Sequence, residues 1–218
     1  MKPRPLFLAA PVPAVIIALS VLWTFPALLN LGQTNETDTL SPLERVLLRD
    51  GDIMLIQGSG YTGDLIILAL NEDVPLSHCG MIVYRVDSPR VVHTISPGLS
   101  GIDGVRADSL DAFTAKSQPD SIIVVRPRWS PARRGRDHEA AANAVRYLER
   151  RVPFDTVFDF DDREKMYCTE LLYQVLEDAG FWEDRQAPPL KGGVLPFNVF
   201  LDPSSFDVII NHQKANAE

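Results

Sequence analysis

Residues 164–180 have the sequence EKMYCTELLYQVLEDAG, which places one of the two cysteines of the chain at the start of a predicted amphipathic helix. Apolar side chains recur at helical spacing from Tyr167 to Ala179, and Gly180 is typical of a helix end. Cys168 therefore falls in the first turn, where unpaired backbone N–H groups and the helix dipole favour a thiolate. The alternative is a small, buried and inert cysteine, and a neighbouring base would decide between the two.

Two of the four histidines are candidates for that base. His138 falls on the exposed side of a predicted helix start and His212 in a polar tail, whereas His78 and His93 fall in predicted strands. Side chains alternate across a strand, so His78 shares its face with Gly80. The glycine leaves that face open, and another backbone or a substrate can approach the imidazole closely.

The predicted pairing puts His93 on the same face of the sheet as His78, but it also puts the two residues far apart along the strands. A two-residue turn at residues 88–89 would set His93 opposite Tyr84. His78 would then lie about 20 Å away along the strand, at ~3.3 Å per residue. A bulge, a strong twist or a slipped register would have to close that gap. His93 either orients His78 or fills a partly buried sheet position.

A zinc site and a disulfide are two further possibilities for the cysteines and histidines. Two of each residue type match the ligand set of many structural zinc sites. However, His78 and Cys79 are adjacent and point to opposite sides of a strand, and the usual closely spaced ligand pairs are missing. We therefore expect neither a metal nor a cofactor. A disulfide between Cys79 and Cys168 would consume the candidate nucleophile.

Composition and charge exclude one class of partner. The chain has 218 residues, 45% of them hydrophobic, which is enough for one full domain with a core. A net charge of -8 argues against nucleic acid. The one basic cluster, RPRWSPARRGR at 126–136, is predicted to be a solvated loop before a helix, with anionic surface binding as the alternative.

The N-terminus predicts a membrane attachment. Between Arg4 and Glu36 the sequence has no charged residue, and the apolar stretch 6–31 is long enough to span ~30 Å of hydrocarbon. Without a convincing cleavage site, residues 1–31 are predicted to be a signal anchor or transmembrane helix, with a buried core helix as the alternative. The preceding positive charges place the domain outside the inner (cytoplasmic) membrane, facing the periplasm or cell exterior, or secreted if the signal is cleaved.

The remaining sequence predicts a linker, 32–45, and a single α+β domain, 46–218, in which a small antiparallel sheet packs against helices. The most polar part of the linker runs from Gly32 to Thr39. Strands are predicted at GDIMLIQG, SHCGMIVYRV, PRVVHTIS and SIIVVRPR, and helices at YTGDLIILAL, ADSLDAFTA, DHEAAANAVRYLERR and the Cys168 segment.

An acidic run, FDTVFDFDDREK at 154–165, comes directly before the cysteine helix. Its carboxylates suggest binding of a cationic substrate group or of calcium, but their spacing is not that of a calcium loop. We expect a solvated loop whose phenylalanines pack on one side.

Four segments, GDIMLIQG, SHCGMIVY, VVHTIS and YCTELLY, together carry a family resemblance. In this order they resemble the circularly permuted branch of the NlpC-type papain-like cysteine hydrolases, the YiiX-like group, and more distantly the lecithin:retinol acyltransferases. The resemblance extends from Asp50 to Gly180 and implies a permuted papain-like fold. It also implies that Cys168 is the nucleophile, His78 the base and His93 the orienting group. Cys79 departs from the pattern, in which an aliphatic residue is usual.

The predicted function is that of a membrane-anchored, extracytoplasmic cysteine peptidase or amidase. The Cys168 thiolate would attack a carbonyl to form an acyl-enzyme, and His78 would protonate the leaving group. Backbone N–H groups near Cys168 would bind the oxyanion, with Tyr167 a possible contributor and Glu170 holding either the helix start or a substrate amine. The expected substrate is a peptide, peptidoglycan or a lipid amide. The alternatives are a lipid or ester acyl hydrolase or acyltransferase, and a binding module without turnover.

Overall fold

In the computed structural model, the residues described are 38–59, 61–85, 88–96, 101 and 103–213. The predicted signal anchor, residues 1–31, and the start of the predicted linker lie outside these ranges. Among the helices within them, none is both long and apolar enough to cross a membrane.

The described part of the chain forms one six-stranded antiparallel sheet. Its strands are β1 Ile53–Ile56, β2 His78–Arg85, β3 Ser88–Ile95, β4 Gly104–Ser109, β5 Ile123–Pro127 and β6 Phe206–Asn211. They lie side by side in the order β4, β3, β2, β1, β5, β6. The central strand β1 is fully buried, as its continuous apolar sequence predicts.

Helices flank this sheet, which confirms the predicted combination of an antiparallel sheet with helices. They are α1 Pro42–Arg45, α2 Tyr61–Leu70, α3 Leu110–Thr114, α4 Asp137–Arg150 and α5 Cys168–Asp178, with 3-10 turns at Pro131–Arg133 and Phe197–Leu201. The helix after the acidic run begins at Cys168 as predicted, and Gly180 follows it with φ of +76°. That left-handed conformation is the one in which glycine commonly stops a helix.

The two faces of β2 contribute to two separate cores. Cys79, Met81 and Val83 pack with α4 and α5 on one face, whereas Ile82 packs with Phe113 of α3 on the other. This confirms the predicted alternation along β2. His78 therefore lies on the α3 face of the sheet and Cys79 on the face covered by α4 and α5.

The register between β2 and β3 corrects the predicted turn. Tyr84 pairs with Pro89 rather than with His93, because residues 88 and 89 belong to the strand and not to the turn. Continued along the same ladder, this register sets His93 level with Gly80. A Cβ added to Gly80 would lie 3.0 Å from Cβ of His93. The predicted separation of about 20 Å between His78 and His93 was therefore wrong. The prediction that both side chains lie on the same face of the sheet was right.

Two strands, β4 and β6, were not predicted. The β4 sequence, GVRADS, is mostly polar and lies at the sheet edge, so it lacks the apolar alternation of a half-buried strand. Its last residues fall in the segment predicted as a helix, and α3 itself begins only at Leu110. The β4 strand is nevertheless important, because its register with β3 places Arg106 opposite His93 and Asp108 opposite Val91.

The chain enters the fold earlier than predicted, at Asp38. The Asp38 carboxylate accepts hydrogen bonds from the backbone N–H groups of Ser121 and Ile122, at 2.9 and 3.0 Å. The imidazole of His212 bridges Asp38 and Glu44. Residues 38–45 are therefore part of the domain rather than of a linker, and His212 is fixed at the end of β6 rather than in a polar tail.

Carboxylates pair with most of the predicted basic cluster. Arg126 lies in β5 and binds the fully buried Asp52, and Arg128 binds Asp207. Arg133 contacts two carboxylates near the end of α5. The prediction of a solvated loop holds only for part of this cluster, because these arginines join β5, β6 and the segment that follows α5.

Candidate active site

Cys168 is the first residue of α5. It is half-buried against the core on the face of the sheet that α4 and α5 cover. The backbone N–H of Thr169 helps to lower the pKa of the Cys168 thiol. The first N–H groups of a helix have no partner within the helix, so the thiol lies where negative charge is favoured. This is the position predicted for it from the sequence.

His78 lies at the first position of β2 and makes two contacts that define the site. It lies close enough to Cys168 that the sulfur raises the pKa of the imidazole and the imidazole lowers the pKa of the thiol. Its Nε2 atom lies 2.9 Å from Nδ1 of His93, with the two rings nearly perpendicular. The structure thus brings the predicted nucleophile, base and orienting group together, with His78 hydrogen-bonded to His93 and next to Cys168.

Asp108 extends this series and was not predicted. Its Oδ2 atom lies 3.1 Å from Nε2 of the fully buried His93. Arg106 donates to its other oxygen at 2.8 Å, and Lys116 also binds the carboxylate. The alternation of Arg106 and Asp108 in VRADS was the only signal in the sequence, because it places both on the same face if that polar segment is a strand.

Phe113 of α3 holds both imidazoles in place. Its ring stacks on His78 at a centroid distance of 5.3 Å and 27°, and it meets His93 edge-on at 5.1 Å. Lys116 follows α3 directly, so the same short helix positions the aromatic support and the cation on Asp108.

These contacts determine the direction in which protons are donated. The Asp108 carboxylate can only accept, so His93 carries its proton on Nε2 and its Nδ1 accepts from His78. His78 then donates from Nε2 to His93 and keeps its other nitrogen for a second partner. An imidazolium at His78 therefore satisfies both of its partners.

The electrostatic environment favours a thiolate at Cys168. Hydrogen bonds from Cys79 and His78, together with the Thr169 N–H, lower the pKa of the Cys168 thiol to about 5, although burial opposes them. Burial lowers the pKa of His78, but the Cys168 sulfur opposes this and favours a proton on that imidazole. Burial also lowers the pKa of His93, and the hydrogen bond between His93 and Asp108 holds the pKa of that carboxyl well below its usual range. Asp108 is thus an anion at neutral pH and His93 is neutral.

Tyr167 and Glu170 lie on the buried side of the α5 start. The Tyr167 hydroxyl accepts from the Leu195 N–H at 2.9 Å, and its side chain is 2% exposed. Glu170 is fully buried, and its Oε2 accepts from the Tyr167 N–H at 3.3 Å. Both side chains support the helix start, and their predicted roles toward an oxyanion or a substrate stay predictions.

The acidic run beside them is partly buried rather than fully solvated. Asp155 is fully buried and accepts from the backbone N–H groups of Val157 and Asp159. Phe158 and Phe160 pack against aromatic residues of the α5 segment, which confirms the predicted one-sided packing.

Comparison with known proteins identifies a solved structure of the same fold. No family model and no curated protein matches the chain. Among solved structures, the metalloprotein YiiX from Escherichia coli O157:H7 is similar to it at 21% sequence identity and a TM-score of 0.53. The match covers 75% of this chain and 97% of that one. The chain shares the fold of YiiX. This degree of likeness shows the fold alone, so activity has to be argued from the site.

The description of YiiX as a metalloprotein raises the question of a metal here. Among the residues that the structure describes, no group of three or more His, Cys, Asp or Glu is arranged to hold a metal ion. The two nitrogens of His93 already face His78 and Asp108. The side chains around Cys168 therefore do not fit a metal centre with three such ligands.

The first prediction concerns the reactivity of Cys168 as a function of pH. Its pKa of about 5 means that alkylation by iodoacetamide should rise through that pH and be level near neutrality. In His78→Ala the midpoint should move up toward the ~8.5 of an ordinary cysteine. Mass spectrometry of the Cys168 peptide measures the rate, and His138→Ala is the matched control. An unchanged midpoint in His78→Ala would remove His78 as the partner of the thiolate.

The second prediction concerns Glu170 and stability. Burial, together with Asp155 and its neighbours, raises the pKa of Glu170 to about 9 in the folded chain. An unfolded glutamate has a pKa near ~4.3, so folding binds a proton between these values and loses stability as pH rises. The difference in free energy of unfolding between Glu170→Gln and the wild type should therefore shift in favour of the variant as the pH rises from about 5 to 8. Urea unfolding at several pH values tests this, and a constant difference would contradict it.

Proposed function

We propose that this protein is a cysteine hydrolase that cleaves an amide bond through an acyl-enzyme on Cys168. The observation that carries the proposal is the continuous series from Cys168 through His78 and His93 to Asp108, with 2.9 and 3.1 Å between its last three members. The shared fold with YiiX is compatible with the permuted papain-like assignment. The order of the motifs supports the relation to NlpC-type hydrolases.

Acylation uses the thiolate and the proton on His78. The sulfur of Cys168 attacks the carbonyl carbon, and the developing oxyanion is bound by free backbone N–H groups at the start of α5. His78 delivers its proton to the leaving amine, which departs as the C–N bond breaks. The product of this step is a thioester on Cys168 and a neutral His78.

Deacylation reverses the proton flow. Neutral His78 takes a proton from water, whose oxygen attacks the thioester, and the sulfur leaves as a thiolate. During both steps His93 accepts from Nε2 of His78 and fixes the rotation of its ring. Asp108 in turn fixes the tautomer of His93.

The third prediction tests this proposal through turnover. Full-length protein should release amines from peptidoglycan-derived peptides, and Cys168→Ala should abolish that release without loss of fold. His78→Ala should lower the rate by about 10²–10⁴-fold, in the range of general acid–base catalysis. His93→Ala should cost less, because it acts through His78.

His138→Ala is the control for that experiment, because its imidazole is exposed at the start of α4 and pairs with Asp50 rather than with a member of the series. Ester and lipid-amide substrates assayed in parallel identify the acyl donor. If Cys168 reacts with iodoacetamide but no substrate of these classes turns over, the site is a binding module and the hydrolase proposal is wrong.

The proposed place of action is the outer side of the cytoplasmic membrane, with the N-terminal segment as a single-pass anchor. Support comes from the uncharged stretch 6–31, which is long enough to span the hydrocarbon core of a bilayer. Since Asp38 already binds Ser121 and Ile122, the anchor and the remaining linker occupy no more than residues 1–37.

The fourth prediction follows from this boundary. The full-length chain should sediment with membranes and resist alkaline extraction, whereas residues 38–218 should be soluble and keep Cys168 reactivity. Asp38→Ala in the shortened chain should lower its stability by about 1 kcal/mol, because two N–H groups lose their acceptor. Recovery of the intact full-length chain in the soluble fraction would contradict the anchor.

A further inference from the structure

Cys79 approaches the proposed nucleophile from the side opposite to His78. It follows His78 directly in β2, points to the other face of the strand and is fully buried. The Cys168 side chain packs against the core that contains Cys79, and each sulfur shifts the pKa of the other, so the two side chains are neighbours. Both cysteines are free. The hydrolysis steps above need only one of them.

We propose that Cys79 and Cys168 form a reversible disulfide that switches the site off, which makes this pair a site of redox modification. The inhibition of hydrolysis rests on the proposed function. The formation of the bond does not, because it depends only on the two sulfurs and an oxidant.

The reaction with a peroxide is balanced in two steps. The Cys168 thiolate attacks one oxygen of hydrogen peroxide, the O–O bond breaks, and Cys168 sulfenic acid and hydroxide form. The Cys79 sulfur then attacks the sulfenic sulfur, its proton joins the departing hydroxyl as water, and the S–S bond forms. A dithiol reductant returns both thiols and is itself oxidised to a disulfide.

The two cysteines differ in the way that these steps require. Cys168 is half-buried at a helix start, so a small oxidant can reach it, and its pKa of about 5 keeps it a thiolate. Burial and the neighbouring Cys168 sulfur raise the pKa of Cys79 well above the usual value. Cys79 therefore stays protonated and reacts only after Cys168 has become an electrophile.

The location of Cys79 also makes it a dedicated partner. The sequence contains no third cysteine, so no other thiol of the chain competes for the sulfenic acid. An S–S bond is ~2.0 Å long, so the sulfurs have to move closer than hydrogen-bonding contact. The movement falls on the first residue of α5, where helix ends are least constrained. Once it is bonded to Cys79, the Cys168 sulfur is no longer a thiolate. It can then neither pair with a protonated His78 nor attack a substrate.

The test uses the reduced full-length chain, hydrogen peroxide in more than twofold molar excess and intact-mass spectrometry under denaturing, non-reducing conditions. The expected product has lost two hydrogen atoms, takes up no iodoacetamide, and yields one peptide joining Cys79 to Cys168. Dithiothreitol should restore two alkylatable thiols and the native reactivity of Cys168.

The Cys79→Val variant, in which valine fills the same apolar site, distinguishes disulfide formation from oxidation of Cys168 alone. Its Cys168 should gain two oxygen atoms as sulfinic acid, and dithiothreitol should not reverse the loss of reactivity. Cys79→Ala gives a second variant if valine perturbs the fold.

The proposal is overturned if the wild-type chain also goes to sulfinic acid with Cys79 still alkylatable after denaturation. Disulfide formation without any hydrolytic activity would instead refute the proposed function and leave the redox site intact. The two failures are therefore distinguishable.

Discussion

The close approach of β3 to β2 at Gly80 is the constraint on which the candidate site depends. A Cβ at position 80 would lie 2.5 Å from Cγ1 of Val91 and 2.9 Å from the carbonyl oxygen of Val92. Contacts that short do not occur, so any larger residue would move β3 away. His93 belongs to the part of β3 that approaches Gly80, and its 2.9 Å contact with His78 would be lost with a small displacement. The absence of one side chain thus allows two others to meet.

The sheet and the helices around it could largely be predicted from periodicity, and the site only in part. Apolar runs and alternation are local signals, and they identified β1, β2, β5 and the helix that begins at Cys168. The register of β2 and β3 depends on where the turn lies, and Ser88 and Pro89 resemble turn residues although they belong to the strand. An error of a few residues there moved His93 from beside His78 to the far end of β2.

Asp108 shows a different limit of prediction from sequence. The β4 strand carries few apolar residues, because it lies at the edge of the sheet. Its role is determined by the tertiary contacts of His93, Arg106 and Lys116 with one carboxylate. The contacts of His93 and Lys116 join Asp108 to other parts of the chain, so no local pattern predicts them, whereas the contact of Arg106 lies within β4. Tyr167 and Glu170 illustrate the converse, because polar residues next to a candidate nucleophile suggested chemistry whereas the fold buries them under the helix start.

The two cations on Asp108 explain why the proton of the series belongs on His78. A carboxylate bound only to His93 would favour an imidazolium there, and His93 could then no longer accept a hydrogen bond from His78. The hydrogen bond from His93, together with Lys116, lowers the pKa of Asp108. Burial lowers the pKa of both imidazoles, and the charges of Lys116 and Arg106 lower that of His93 further. His93 therefore stays neutral with a fixed tautomer, and its Nδ1 remains an acceptor. The Cys168 sulfur instead raises the pKa of His78, so within the series it favours a proton on that imidazole, which is the proton that the proposed acylation uses.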